Sequence, residues 1–352
     1  MTRARPTIPR GRRMDGGIPL RRGQRGVALL VAILLVALGT IIAATMAYNN
    51  AMTARRAGAT FEFDQAVLVA EGAEAFAAYG LQQQFRANQQ ANPQYIYPGQ
   101  LWSQPIGPVP VTPGVMLEGS LEDLQGRFNV NDLVQTDGEL PNTAAIQAFQ
   151  RLLTSLGMDP KWADYLVDWI DKDTTPMFPD GAEDSVYMEM NPPYRTPNLP
   201  ITSTSELLAL PGFTRADFDR LSPYIVALPI GVQINVCSAS LYVVNALMGT
   251  PFSTDPVQFE KDRQANGSCF PTPGIVQQAA ANVSDGGNST PPNVNPTGAP
   301  QTLSSLIVGK SSWFRLTSFV TLGNAEFAVY TLLYQDPNSG MVRPVMRSFT
   351  PD

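Results

Sequence analysis

The chain has 352 residues, a formal net charge of −6, two Cys and no His. The lack of His excludes Ser-His-Asp and Cys-His catalysis and the commonest zinc ligand, and two Cys cannot form a four-thiolate zinc site. The acidic excess argues against nucleic acid and anionic lipid surfaces as partners.

The first 26 residues hold eight Arg and one Asp, a net of +7, which leaves −13 for the remainder of the whole-chain −6. After Arg25-Gly26 comes an uncharged apolar run of 22 residues, Val27–Tyr48. That is close to the roughly 20 residues needed to cross ~30 Å of hydrocarbon as a helix. A cleaved secretory signal is the alternative. The run is longer than a typical apolar region of roughly 7–15 residues, and no small-x-small cleavage site follows before Tyr48; Ala43-Ala44-Thr45 and Ala47 come nearest. The basic end is expected to stay cytoplasmic and the rest to face outward. The segment resembles the precursor region of type IV pilin-like proteins, in which a prepilin peptidase would cut between Gly26 and Val27. The fifth residue after that cut is Val31, where most such proteins carry Glu. The leader is long for this class, and Met14 is an alternative start.

The helical pattern continues to about Gln90, with Phe63, Val67, Ala70, Ala73 or Glu74, and Ala77 at three- and four-residue spacing. A helix of about 60 residues would be about 90 Å long. Its upper half needs a folded domain to cover that stripe. Asn92–Pro113 reads as a Pro- and Gly-rich loop, and the stretch from Val115 through Gly126-Arg-Phe-Asn-Val-Asn as a short hairpin. Helices are expected over Thr143–Leu156 and Lys161–Ile170, the second started by Asp159-Pro160. Further starts lie at Ser203 and at Thr214, where Asp217 completes a capping box. Gly231–Cys237 reads as a strand, and 270–300 as part of a disordered Asn-, Gly- and Pro-rich loop. Trp313–Leu322 and Ala325–Tyr334 flank the turn Gly323-Asn324, and Met341–Phe349 follows as a further strand. Strands on both sides of a helical segment imply an insertion into a sheet.

Cys237 and Cys269 suit an exported protein. If bridged, they close a loop of about 32 residues, worth about 3–4 kcal/mol in the chain-entropy model; two separate buried thiols are the alternative. The richest polar cluster holds Asp168, Asp171, Asp173, Asp180, Glu183 and Asp184, six carboxylates within 17 residues broken by Pro176 and Pro179. Crowded carboxylates repel, and a hard dication with flexible oxygen coordination, such as calcium, relieves that repulsion. The spacing is not that of an EF-hand, so a solvated acidic loop also fits. A carboxylate acid/base pair has no accompanying nucleophile or oxyanion hole. Leu207-Leu-Ala-Leu-Pro-Gly-Phe213 has the look of a helix-hairpin-helix turn. Acidic residues between Glu118 and Pro229 outnumber basic ones more than two to one, the wrong sign for binding phosphate.

Several spaced segments occur together in order: Arg25-Gly26-Val27-Ala28-Leu29-Leu30, Gly126-Arg-Phe-Asn-Val-Asn-Asp-Leu, Leu166-Val-Asp-Trp-Ile-Asp-Lys-Asp and Gly181-Ala-Glu-Asp-Ser-Val-Tyr. They continue with Pro192-Pro-Tyr-Arg195, Ser205-Glu-Leu-Leu-Ala-Leu-Pro-Gly-Phe213 and Ile234-Asn-Val. With these the chain resembles the protein K family of type II secretion minor pseudopilins. The resemblance implies an α+β, type IV pilin-like fold, in which a long N-terminal transmembrane helix packs on an antiparallel sheet carrying a large inserted α-helical domain. The implied divisions are a leader 1–26, a transmembrane part 27–48 and the upper helix and loop 49–117. Sheet strands 118–137, an inserted helical domain 138–229 and C-terminal strands 230–352 follow. It also implies calcium, with Asp171, Asp173, Glu183 and Asp184 as ligands by position and Asp168 and Asp180 as secondary candidates.

The implied role is structural rather than enzymatic: a tip subunit that nucleates a periplasmic pseudopilus and so drives export of folded proteins across the outer membrane. Implied partners are the I, J and H minor pseudopilins, the major pseudopilin G, the prepilin peptidase, the inner-membrane assembly platform and exported proteins, but no nucleic acid. The implied location is the inner membrane, single-pass, with the N-terminus cytoplasmic and the C-terminal domain periplasmic. A DNA-uptake minor pilin and a membrane-anchored periplasmic enzyme are the competing readings.

Overall fold

The computed structural model describes residues 25–284 and 302–350, and the chain divides into two units at Glu62/Phe63. One helix, α1 (Arg25–Asn88), belongs to both. In the first unit every side chain from Val27 to Asn50 is exposed, including Leu34, Leu35 and Val36. A helix apolar on all sides that buries nothing within the protein needs another apolar medium, and this one is long enough to cross a membrane. The expected leader falls almost wholly outside the described residues.

In the second unit the remainder of α1 covers one face of a five-stranded antiparallel sheet. The strands are β1 (Ile106–Thr112), β2 (Val115–Asp123), β7 (Trp313–Leu322), β8 (Ala325–Gln335) and β9 (Val342–Ser348), in spatial order β1-β2-β7-β8-β9. The buried seam of the helix is Ala66, Ala70, Ala73, Ala77 and Leu81. It is shifted from the expected stripe: Phe63 sits at its margin, 4.9 Å from the Phe349 ring. Alanines bring the helix close to Val320, Val329, Phe314 and Leu333, which a bulkier seam would hold off. Phe314, Leu316, Ser318 and Val320 alternate inward along β7, the period-two pattern that fixes register. The β7–β8 hairpin closes at Leu322↔Ala325, with Gly323 at φ +58° in the turn.

The remaining elements lie between β2 and β7. They comprise β3 (Phe128–Asn129) paired in parallel with β4 (Ile225–Val226), and β5 (Ile234–Asn235) paired in parallel with β6 (Ile307–Val308). The helices are α2 (Thr143–Ser155), α3 (Trp162–Ile170), α4 (Asp184–Tyr187), α5 (Arg215–Leu221), α6 (Leu241–Met248), α7 (Pro256–Asn266) and α8 (Pro273–Ser284). Phe149, Leu152, Leu166, Val244, Leu247 and Val276 share one core, so the helical insertion does not stop at residue 229. Four expectations change accordingly. The segment 230–312 belongs mostly to the insertion. The hairpin read between β2 and β3 does not form, because β3 pairs with β4. A strand, β1, occupies much of the expected loop before Pro113. Part of the expected 270–300 loop is helix α8, and 285–301 lies outside the described residues.

Polar side chains tie the insertion to the sheet at its two crossing points. Asp123 Oδ2 accepts from Asn235 Nδ2 at 2.8 Å and Ser311 Oγ at 2.6 Å, and Asn235 Nδ2 also donates to the Ile96 carbonyl at 2.8 Å. Gln125 Nε2 donates to the Gln233 carbonyl at 2.7 Å, while its Oε1 accepts from Ser312 N at 2.5 Å. Asn131 reaches both the Ile201 carbonyl (2.9 Å) and the Leu228 carbonyl (2.8 Å). Gly126 opens this run because a Cβ there would meet the Ser238 carbonyl at 2.7 Å. Cys237 and Cys269 are bridged, with Cα atoms 4.5 Å apart. Arg263, buried beside the bridge, donates to the Phe270 carbonyl at 3.1 Å and to the Ala239 carbonyl.

One charge crosses the helix–sheet interface. Glu74, 5% exposed, receives Arg347 Nε at 2.7 Å and Nη2 at 2.8 Å, with Thr331 Oγ1 at 2.8 Å. Replacing Arg347 by Met should strand that carboxylate and destabilise the second unit by about 2–3 kcal/mol. This is less than the roughly 3–5 kcal/mol for a fully buried pair, because Arg347 is partly exposed. Urea unfolding with an unchanged m-value would check it.

Candidate metal centre

The acidic segment is held between α3 and α4. Trp162 and Ala163 begin α3 after Asp159, whose Oδ1 accepts from Lys161 N at 3.0 Å. Leu166, Val167 and Ile170 bury its apolar face. The same helix carries Asp168, fully buried, and ends at Asp171, 2% exposed. The chain then leaves helical geometry through Pro176 and Pro179 and re-enters it at Asp184, with Glu183 (3% exposed) at the N-cap. Trp169 packs 5.2 Å from Tyr187, which packs 5.4 Å from Tyr194, forming an aromatic floor beside the loop.

One carboxylate oxygen from each of Asp171, Asp173 and Glu183 lies within 4.8 Å of the other two. Asp171 Oδ1 and Glu183 Oε1 are buried and have no hydrogen-bond donor. Lys172, although adjacent, turns away to the Asp137 carbonyl and lies 4.0 Å from Glu139. Arg195 pairs with Asp184 at 3.5 Å. Among the described residues neither cation pairs with the three converging carboxylates.

The other expected ligands go elsewhere. Asp168 accepts from Met177 N through both oxygens, at 3.0 and 3.2 Å, and so staples the loop instead of joining the cluster. A Cβ at Gly181 would fall on Met177 backbone atoms and on Asp168 Oδ2, which explains glycine at that position. Asp184 Oδ1 is occupied by Thr196 N and Oγ1, each at 3.2 Å. Asp180 is exposed and faces Asp164. Sequence reasoning missed two contributors. Thr196 Oγ1 donates to Glu183 Oε2 at 3.3 Å, and Asn198 Nδ2 donates to the Asp173 carbonyl at 2.9 Å. Neither is acidic, and only their place after the Pro-Pro-Tyr-Arg run hinted at them.

Burial drives the Asp168 and Asp171 carboxyls up to about 7, helped for Asp171 by the neighbouring charges of Asp173 and Glu183. Burial also raises Glu183. An oxygen set of this kind, anionic and short of donors, suits a hard divalent cation, and calcium accepts six to eight such ligands without rigid geometry. Unfolded Asp titrates near 3.9, so between about pH 4 and 7 the native chain holds protons that the unfolded chain has lost. In chelator, these two groups should therefore make stability fall as pH rises through that window. Asp171→Asn should flatten the slope, read from melting temperatures between pH 5 and 7.

A family model described as type II secretion system (T2SS), protein K, matches residues 126–230. The type II secretion system protein K of Pseudomonas aeruginosa is 34% identical over 253 residues, covering 70% of this chain and 74% of that one. The protein K of Pectobacterium carotovorum subsp. carotovorum is 30% identical over 330 residues, covering 90% and 94%. A chain of the crystal structure of the GspK-GspI-GspJ complex from enterotoxigenic Escherichia coli superposes with a TM-score of 0.65 at 22% identity. That likeness covers 84% of this chain and 100% of that one, and supports the same fold. With the insertion, the apolar N-terminal helix and these matches together, the chain belongs to the type II secretion system protein K family of minor pseudopilins.

Proposed function

We propose that this minor pseudopilin sits at the tip of the periplasmic pseudopilus, nucleates its assembly and holds calcium in its inserted domain. The observation that carries the tip position is Val31, five residues into the apolar run that begins at Val27. A Glu at that place can pair with the terminal amine of a neighbour inside an apolar filament core, where an unpaired charge is expensive. Val31 offers no carboxylate for docking beneath an earlier subunit, and at the tip none is required. The bulk of the insertion between β2 and β7 suits an end position for the same reason. Growth of the filament beneath such a cap would push folded exoproteins through the outer-membrane channel.

The partners follow from this role. The similar E. coli chain was solved in complex with GspI and GspJ, which supports minor pseudopilins of the I and J types as neighbours here. The H type, the major pseudopilin G and the inner-membrane assembly platform would act in the same assembly, and prepilin peptidase would cut between Gly26 and Val27. The apolar helix would anchor the chain in the inner membrane with its basic end cytoplasmic and the second unit in the periplasm. The cysteine bridge suits that oxidising compartment. The role is one of assembly and not of catalysis.

Asp171, Asp173 and Glu183 would hold the calcium. The ion supplies two positive charges that satisfy the donor-less oxygens of Asp171 and Glu183. These residues join the end of α3 to the start of α4, so holding them together fixes the intervening loop. At free calcium about 100-fold above Kd, the wild-type chain should gain about 2.7 kcal/mol of stability, and the Asp171→Asn, Glu183→Gln double variant should gain almost none. Thermal melts with and without chelator check this. Immunogold labelling of pseudopili is expected at one end only; label spaced along the shaft would overturn the tip position.

A further inference from the structure

Helix α2 carries one charged residue, Arg151, and it is half-buried. Its Nε donates at 2.8 Å to the Ala246 carbonyl, in the last turn of α6, where carbonyls lack partners within their own helix. That bond fixes the side chain between the two helices. Neither terminal nitrogen has an acceptor among the described residues; Nη2 is shielded from solvent and Nη1 is not. Burial lowers the Arg151 pKa, and no neighbouring acid opposes the shift. A half-buried arginine without a counter-charge is unexpected where Asp and Glu outnumber Lys and Arg more than two to one. Taking a charge out of water without pairing it is costly.

Arg151 lines an open groove of about 550 Å³ with Gln147, Gln150, Thr154, Ser155 and Pro160. That volume falls among pockets that hold a small molecule or a short piece of chain, about 300–1,000 Å³. Three- and four-residue spacing puts Gln147, Gln150, Arg151 and Thr154 on one face of α2. No acid lines the groove, and buried Asp164 meets its lining through Gln150 Nε2 at 3.4 Å. Thr154 Oγ1 donates to the Gln150 carbonyl at 2.8 Å and Ser155 Oγ to the Leu152 carbonyl at 2.7 Å. With their protons spent inside the helix, both hydroxyls can only accept from a ligand. The groove therefore sets cationic donors beside neutral acceptors.

We infer that this groove binds a carboxylate carried by a polypeptide, with the carboxylate on Arg151 Nη1 and peptide N–H groups beside it on Thr154 and Ser155. A carboxylate oxygen at Nη1 also brings its negative charge close to Nη2. One guanidinium balances one negative charge, so a carboxylate matches it. A phosphate dianion would bring a second charge into an acidic domain, with no second cation lining the groove. Because Nε is already held by Ala246, little side-chain freedom is lost on binding.

The test titrates the full chain in detergent micelles, by calorimetry, with a short acetylated neutral peptide in three forms: amidated, with a free C-terminal carboxylate, and amidated with one Glu. Acetate and inorganic phosphate are the remaining probes. At least one carboxylate-bearing peptide should bind, and which one does separates a chain terminus from an acidic side chain. Arg151→Gln should weaken that binding by about 10–100-fold. Gln147→Glu, which leaves the Ala246 bond intact and changes an exposed residue, should do the same without altering the melting temperature, so the test survives if Arg151→Gln unfolds. Arg215→Gln, which removes an exposed charge of the same domain outside the groove, should bind as wild type does. Equal weakening by Arg215→Gln, equal binding of the neutral amidated peptide, or no binding of either carboxylate peptide would overturn the assignment. Acetate binding as tightly as the peptides would overturn the polypeptide source, and tighter binding of phosphate would overturn the charge match.

Discussion

Three carboxylate oxygens from Asp171, Asp173 and Glu183 lie within 4.8 Å of one another, and two of the side chains are almost wholly shielded from water. For the shielded pair, full charges at that spacing repel by on the order of 3 kcal/mol at an effective dielectric of about 20. A chain that folds into this arrangement must either protonate or neutralise it. The nearby cationic side chains do not relax it. Lys172 turns out to Asp137, Arg195 goes to Asp184, and Gly181 lets the loop close tightly over Asp168. The rest of the loop keeps the repelling groups together, and in the proposed reading a cation completes the site.

The insertion that carries the loop is joined to the sheet by hydrogen bonds at its two ends. Asp123, Gln125, Asn235 and Ser311 form a nearly dry network where β2 leaves the sheet and β7 returns to it. Burial raises the Asp123 carboxyl, while Ser238, Ser311, Asn235 and the Gln125 amide partly compensate. A satisfied polar network in a low-dielectric setting is stiff, because each lost partner leaves another group unpaired. In the proposed role, that stiffness makes insertion and sheet act as one body at the filament end. The bridge between Cys237 and Cys269, with Arg263 holding the carbonyls around it, secures the later helices of the insertion in the same way.

Much of this is legible in the residues, and the failures have physical causes. The β7–β8 hairpin is readable from strict alternation around Gly323-Asn324. The α5 start is readable from Thr214 and Asp217, whose reciprocal hydrogen bonds are present. The helical insertion is readable too, but its far end is not. Helices α6 to α8 follow a strand-like run at Ile234-Asn-Val and border an Asn- and Gly-rich stretch, so local composition masks a core shared with α2. Strand β1 is hidden by Pro108, Pro110 and Gly107, tolerable there because β1 is an edge strand. In the acidic loop, composition marks six carboxylates but cannot show which are already occupied. Asp168 and Asp184 have backbone donors, while Asp171 and Glu183 keep a bare oxygen. Asn198 is invisible because its role depends on a fold-dependent contact with Asp173.

Buried acids elsewhere in the chain show why the loop is exceptional. On α1, the apolar stretch carries Val31 in place of an acid, while Glu74, where the sheet covers the helix, is answered by Arg347 and Thr331. Asp123 is answered by hydroxyls and an amide. Asp132 accepts the Gly231 N–H at 2.6 Å and keeps its other oxygen bare. Burial raises that carboxyl to about 7, with no neighbouring acid among the causes, so a single proton is enough to settle it. At Asp171 and Glu183 the bare oxygens belong to carboxylates that converge with a third, Asp173, although Lys172 and Arg195 lie close in sequence. There a hydroxyl, Thr196 Oγ1, answers one Glu183 oxygen at 3.3 Å, while the bare oxygens of Asp171 and Glu183 keep no donor among the described residues. On the proposed reading, the answering charge is a bound cation.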